Sequence, residues 1–179
     1  MAYNIEFGLS KKGISNAKHM IKNLKKELNS STQKINKNIA DKCADKMLSY
    51  HDIFISALDE DAYNHSAMTR VIEKNKSAEA IIYGEQVIYD EFGTADTGAR
   101  NAHPEHSKYG MNNYSSGPYV STHQDDYGHY WIFNRHKMYG VPAGKFFYNT
   151  LMDMKNGEAK HIAKEVVDET LRKTLGGDK

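Results

Sequence analysis

A long helical pattern in the first third of the chain is the feature that most limits how this protein can fold. Apolar residues recur at spacings of three and four, at Ile14, Ala17, Ile21, Leu24, Leu28, Ile35, Ile39, Cys43 and Met47. This predicts a helix from about Ser15 to Ser49, with a possible break at Ser30–Thr32, where hydroxyl groups compete for backbone hydrogen bonds. A helix of about 50 Å at 1.5 Å per residue is too long for a small domain to bury, so we expect part of it to pack on another subunit.

Strand patterns precede and follow this helix. Alternating apolar residues over 2–9 predict a half-buried strand, and Lys11–Gly13 a turn. An irregular or short helical connection is expected over 50–66. The patterns then predict an antiparallel meander of three strands, over 68–73, 78–83 and 86–92.

The second half contains a loop, an aromatic strand and a helix. Residues 95–128 lack a period and predict a long loop that orders on assembly, and His129–Phe133 reads as a strand. A helix follows from Lys145, with a kink at Asn156-Gly157 and a stop at Gly176-Gly177. We therefore predict one α+β domain over 1–179, in which a long N-terminal and a C-terminal helix pack on an antiparallel sheet of about four to five strands.

Charge is unevenly distributed along the chain. The net charge is only +1, but residues 1–50 hold ten lysines and four acids, which leaves the rest at −5. This pattern suits a polyanion contact, two complementary surfaces or a solvated lysine face. The single cysteine, Cys43, excludes an internal disulfide, and without a long apolar run we expect a soluble protein made in the cytosol.

Two clusters of histidines and acids suggest a metal site, because imidazole and carboxylate suit zinc and other first-row metals. The clusters are His103, Glu105 and His106, and His123, Asp125, Asp126 and His129. Neither has the spacing of two histidines on one helix, and both fall in the predicted loop. A solvated polar loop is the simpler interpretation, so we predict no metal and no cofactor.

Hydrolase or nuclease chemistry is a second possibility. Acid–base candidates are Asp90, Glu91, Asp125, Asp126 and His136. The sequence shows neither a nucleophile elbow nor a phosphate-binding glycine loop. The segment Glu91-Phe92-Gly93-Thr94 instead reads as structural: Phe92 packs on the core, Gly93 permits a positive φ, and Thr94 bonds back to the turn. We expect no catalytic residue, and keep a metal-dependent hydrolase as the alternative.

The lysines of the first helix could contact phosphates. They are Lys18, Lys22, Lys25, Lys26, Lys34, Lys37, Lys42 and Lys46. Base reading favours Arg, Asn or aromatic residues, and the helix has neither arginine nor aromatic residue between Ile14 and Ser49. Any DNA contact would therefore be independent of sequence. Aromatic residues around Trp131 are better explained as a core strand, and the overlong helix and many tyrosines favour self-association.

Several motifs occur in a fixed order. A strand, a Lys-Gly turn and a lysine-rich helix come first, followed by Tyr89-Asp90-Glu91-Phe92-Gly93-Thr94. A Gly/Asn/His-rich loop, the strand Tyr130-Trp131-Ile132, the knuckle Gly140-Val141-Pro142-Ala143 and the helix start Phe146-Phe147-Tyr148-Asn149 complete the set. In this the chain resembles the tail-completion and head–tail joining proteins of siphophages. It departs from them where relatives carry Ala-Pro-x-Asp-Thr-Gly after the first helix and Ala-Arg-Pro-Phe at the knuckle.

The resemblance implies a structural virion protein without enzymatic activity. Such a protein forms a homo-oligomeric ring, taken as a hexamer, that completes the tail and docks on the head connector. Its partners would be copies of itself, the neighbouring connector or stopper ring, the tail tube protein and the passing genomic DNA. It would act in the virion neck after assembly in the host cytoplasm. The implied structural and interface residues are Glu91, Phe92, Gly93, Thr94, Trp131, Gly140, Pro142, Phe146 and Phe147.

Overall fold

The computed structural model describes residues 10–58, 66–94, 102–105, 123–133, 136–138, 140 and 142–175. The strand predicted over 2–9, most of the loop predicted over 95–128 and the stop at Gly176-Gly177 lie outside the described residues. The α+β class is confirmed, as are a long N-terminal helix and a C-terminal helix.

Helix α1 runs unbroken from Lys11 to Ser56. The Oγ atom of Ser10 accepts a hydrogen bond from the Gly13 N–H at 3.1 Å, as a helix N-cap does. The prediction of a turn at Lys11–Gly13 was therefore wrong. Of the irregular or short helical connection expected over 50–66, the part up to Ser56 belongs to α1. The break expected at Ser30–Thr32 was also wrong, because these hydroxyls donate to carbonyls one turn back, Ser30 to Glu27 at 2.8 Å for example, and leave the helical ladder intact.

Strands β1, Met68–Glu73, and β2, Ala78–Tyr83, form a two-stranded sheet whose turn is closed by the Lys74 N–H on the Ser77 carbonyl at 2.8 Å. The third strand predicted over 86–92 was wrong. Val87–Phe92 forms the short helix α2. Its apolar residues have high strand propensity, but contacts from distant residues, described below, hold this segment as a helix.

A second sheet has three antiparallel strands: β3, His123–Asp125, β4, Gly128–Phe133, and β5, His136–Met138. The aromatic strand is confirmed as β4. The end of the predicted loop was wrong, because His123–Asp125 pairs with β4 in the register Gln124 with His129. A single sheet of four to five strands is not confirmed, since the described strands divide between two sheets.

The C-terminal helical region has the predicted kink. Helix α3 spans Phe146–Asp153, a wide turn covers Met154–Glu158, and helix α4 spans Ala159–Leu175. At the kink Gly157 has φ 130°, a conformation that residues with a Cβ rarely adopt.

The contacts of the chain group into two compact units, and the prediction of one domain stays a prediction. The first is formed within 1–42, 71–79 and 154–179. There Ser31 shares a 2.7 Å hydrogen bond with Thr170, and Lys34 pairs with Glu169 at 2.6 Å. The second is formed within 43–70 and 80–153, and among its described residues Met47 and Phe146 belong to the buried core.

Candidate functional site

The two sequence motifs that carry the resemblance meet at the carboxylate of Glu91. One oxygen, Oε2, accepts the backbone N–H of Phe147 at 2.9 Å, and Oε1 accepts that of Tyr148 at 3.1 Å. Both N–H groups belong to the first turn of α3, where a helix has unpaired donors and a partial positive charge. Glu91, 56 residues earlier in the chain, thus supplies the acceptor for this helix end.

Backbone hydrogen bonds join the same two segments. The Gly144 N–H donates to the Asp90 carbonyl at 2.7 Å, and the Lys145 N–H donates to the Glu91 carbonyl at 3.2 Å. A Cβ at Gly144 would lie 2.8 Å from the Asp90 oxygen and 2.9 Å from Cγ of Phe54. Glycine is therefore needed at this position for the close approach of the two segments.

His103, in a third segment of the chain, also contacts the Glu91 carboxylate. Its Nε2 lies 2.8 Å from Oε1 of Glu91, while its Nδ1 accepts the backbone N–H of Glu105 at 3.0 Å. Since Nδ1 is an acceptor, the proton of the neutral ring is on Nε2, which donates to the carboxylate. The ring lies 4.5 Å from that of Phe92 and 5.5 Å from that of Tyr148, and the residue is 1% exposed.

A second histidine–carboxylate pair lies beside the first. Nε2 of His51, in α1, is 3.4 Å from Oδ2 of Asp90, and both residues are 1% exposed. The His51 ring meets Phe146 edge to face at 5.2 Å. Its Nδ1 makes no hydrogen bond within the described residues. We call the group of Asp90, Glu91, His51, His103 and the start of α3 the buried junction.

The buried junction holds backbone segments together. Acid–base catalysis needs a histidine or carboxylate within reach of a substrate. Here both oxygens of Glu91 accept hydrogen bonds, and both histidines are almost fully covered. A buried carboxylate with several donors is strongly held, because each charge-assisted bond is about twice as strong as a neutral one. The geometry suits a structural role, in which hydrogen bonds hold together four segments: α1, α2, the segment of His103 and the start of α3.

The predicted site residues are only partly brought together. Phe92, Gly93 and Thr94 follow Glu91 at the end of α2, where Gly93 has the expected positive φ of 75° and Thr94 is buried. Phe146 is completely buried, whereas Phe147 is 41% exposed.

The remaining three lie elsewhere in the second unit. Trp131 is in β4, opposite Met138. Gly140 has φ 95°, and Pro142 is half-buried in the segment before α3.

The two clusters considered for a metal site lie in different elements. His103 lies in the buried junction, whereas His123 and Asp125 are in β3 and His106 lies outside the described residues. Asp125 pairs with Lys137 at 2.6 Å. Within the described residues, no three histidines, cysteines or acids form a group that could hold a metal ion.

Sequence reasoning missed His51 and the pairing role of His103. His51 follows the predicted helix by two residues and has no motif around it. His103 was noticed only because other histidines and acids are close in sequence. His51 becomes the partner of Asp90 only because α1 approaches α2, and no local spacing encodes that approach.

The lysines of α1 divide into two groups. In the second half of the helix each has an acidic partner: Lys34 with Glu169 at 2.6 Å, Lys37 with Glu73 at 2.8 Å, Lys42 with Glu158 at 3.8 Å and Lys46 with Asp153 at 2.5 Å. Hydrogen bonds from Lys173 and then Lys34 lower the pKa of Glu169 to about 2. Hydrogen bonds from Lys46 and Tyr50 likewise lower the pKa of Asp153. The lysines nearer the start of α1 are exposed and have no ion pair among the described residues.

Comparison of the chain with protein-family models, with curated proteins and with solved structures found no match. In the described part of the chain, every helix is too short or too polar to cross a membrane.

Proposed function

We propose that this protein is a structural component of a long-tailed phage, which forms a homo-oligomeric ring at the head–tail junction. The ring completes the tail, docks on the head connector and leaves a passage for DNA. The observation that carries the proposal is the buried junction. The acidic-Phe-Gly-Thr turn and the helix start Phe146-Phe147-Tyr148-Asn149, two weak motifs more than 50 residues apart, are joined there through Glu91.

The chemistry of the junction supports a structural role. The Glu91 carboxylate accepts hydrogen bonds from two backbone N–H groups and from His103. The residues that resemble a catalytic set therefore have a different use, which is to fix the start of α3 against α2. A single antiparallel sheet of four to five strands that lines the ring stays part of this proposal.

Exposed apolar side chains next to the junction support self-association. The Phe147 side chain is 41% exposed. Because its backbone N–H donates to Glu91, the exposed ring is attached to a fixed segment of backbone. Ile88 in α2 is 47% exposed and Ile53 near the end of α1 is 61% exposed. A rigid aromatic anchor loses little conformational entropy on binding, which favours it as an interface centre. We propose that Phe147, Ile88 and Ile53 contact the next subunit.

Adjacent phenylalanines provide a direct test. Phe147→Ala should leave the unfolding midpoint close to wild type, because the side chain is partly exposed, but should shift the oligomer toward monomer in light scattering. Phe146→Ala should lower the free energy of unfolding by about 3–5 kcal/mol, because its ring is fully buried.

Two results would contradict the proposal. One is a Phe147→Ala protein that assembles as well as wild type at every concentration. The other is a wild-type protein that stays monomeric and hydrolyses phosphate esters on addition of zinc, which would favour the metal-dependent hydrolase.

A further inference from the structure

The start of α1 carries a lysine face that the rest of the described chain leaves uncovered. At about 3.6 residues per turn, Lys11, Lys18, Lys22 and Lys25 fall on one side of the helix. All four are exposed, and Lys12 and Lys26, also exposed, flank them. None of the six has an ion pair within the described residues. We call Lys11, Lys18, Lys22 and Lys25 the lysine face.

Farther along α1 the same side of the helix is occupied. Gln33 donates from Nε2 to the Asn75 carbonyl at 2.8 Å, and Asn36 donates from Nδ2 to the Lys76 carbonyl at 2.9 Å. These contacts place the turn of the β1–β2 hairpin on the helix. From Gln33 onward, this side of α1 therefore packs against the chain itself. The lysine face lies on the same side, nearer the start of the helix.

The composition of this face decides what it can bind. Ser15 lies between the lysines on the same side, and the exposed apolar residues Ile14 and Ile21 lie along one edge of the face rather than at its centre. Protein interfaces are depleted in lysine and have an apolar or aromatic centre, which this face lacks. Lysine is a compact point charge on a flexible stem and binds phosphate without needing a fixed geometry. The helix has neither arginine nor an aromatic residue between Ile14 and Ser49, so the face lacks arginine side chains to read bases and aromatic rings to stack on them.

The length of the face suits the phosphate backbone of a duplex. From Lys11 to Lys25 the helix rises about 21 Å, at 1.5 Å per residue. Duplex DNA carries one charge per about 1.7 Å of its axis, so about 12 phosphates lie along that distance. We propose that the lysine face binds the sugar-phosphate backbone of double-stranded DNA without sequence preference. The proposal does not depend on ring formation, because the face lies on one helix of one subunit.

The test measures the affinity of the full-length protein for a short fluorescent duplex, by anisotropy, over a salt series. Four phosphate contacts give a slope of about −3.6 in log K against log salt, which weakens binding about 150-fold between 50 and 200 mM salt. Duplexes of unrelated sequence should bind equally.

A matched pair of variants tests the assignment. K11Q/K18Q/K22Q/K25Q should lose at least about tenfold in affinity at low salt, and most of the salt slope. K34Q/K37Q/K42Q/K46Q removes the same charge from the same helix but takes lysines that already have acidic partners, so it should bind almost as wild type. Replacing the first four lysines by arginine should retain binding, and circular dichroism checks that each variant keeps its helix.

Three results would overturn the proposal. They are no binding at low salt, equal losses in the two glutamine variants, and binding to anionic lipid vesicles or to an acidic protein with no binding to DNA. Since none of these concerns the oligomer, a failure here leaves the ring proposal standing. A monomer that binds DNA through this face would support only the present inference.

Discussion

Replacing Glu91 by glutamine tests the buried junction most sharply, because it changes hydrogen bonding with almost no change in shape. The carboxylate accepts from three donors: the N–H groups of Phe147 and Tyr148, and Nε2 of His103. A glutamine has one oxygen and one NH₂ group. Whichever way it is turned, its NH₂ must face at least one of these donors, which is then left unsatisfied.

The expected cost follows from these contacts. Losing one charge-assisted hydrogen bond at a residue 4% exposed costs about 1.5–3 kcal/mol. Removing a negative charge from the start of α3 adds about 0.3–1 kcal/mol. The free energy of unfolding should therefore fall by about 2–4 kcal/mol, which moves the urea midpoint by about 1–2 M at a slope of about 2 kcal/mol per molar.

Urea unfolding followed by far-ultraviolet circular dichroism measures this shift. Glu85→Gln is the matched control, since Glu85 is exposed in the turn before α2, and its effect should stay within about 0.5 kcal/mol. If the two variants unfold at the same urea concentration, Glu91 does not hold the junction and the reasoning fails.

Three further changes have defined outcomes. Gly144→Ala should cost about 1–3 kcal/mol in urea unfolding, because its Cβ would meet the Asp90 carbonyl; a neutral result would contradict the close approach. Gly157→Ala has free space around it but φ 130°, so only backbone strain of about 1 kcal/mol should appear; a loss of about 3 kcal/mol or more would contradict this. The pKa of Glu169 is lowered to about 2, chiefly by the hydrogen bond from Lys173, so the stabilisation by its carboxylate is complete above about pH 4.5 and is lost as pH falls toward 2. The difference in stability between wild type and Glu169→Gln should therefore vanish over that range. A difference independent of pH would exclude the ion pair.

Local periodicity was enough to predict α1 and the kink in the C-terminal helix. Nine apolar positions outlined α1, although both of its ends were missed. The helix start was missed because the N-cap residue Ser10 is followed by Lys-Lys-Gly, a sequence that is also typical of a turn. Asn156-Gly157 marked the kink, since only glycine readily adopts the φ found there.

The structure of 86–92 could not be predicted locally. Val87, Ile88 and Tyr89 favour a strand by propensity, yet the segment is helical. Its partners are the Gly144 N–H and the start of α3, more than 50 residues away. The sequence therefore identified both halves of the buried junction as motifs, but not that Glu91 links them, nor that two histidines complete it.

The central claim is that copies of this chain assemble into a ring, and the mass of the native assembly tests it most directly. Native mass spectrometry of the wild-type protein, with negative-stain imaging of the same sample, gives copy number and shape together. We predict a closed assembly of six chains with a central opening at high protein concentration. A single chain at every concentration, or an open aggregate without a fixed copy number, would contradict the claim.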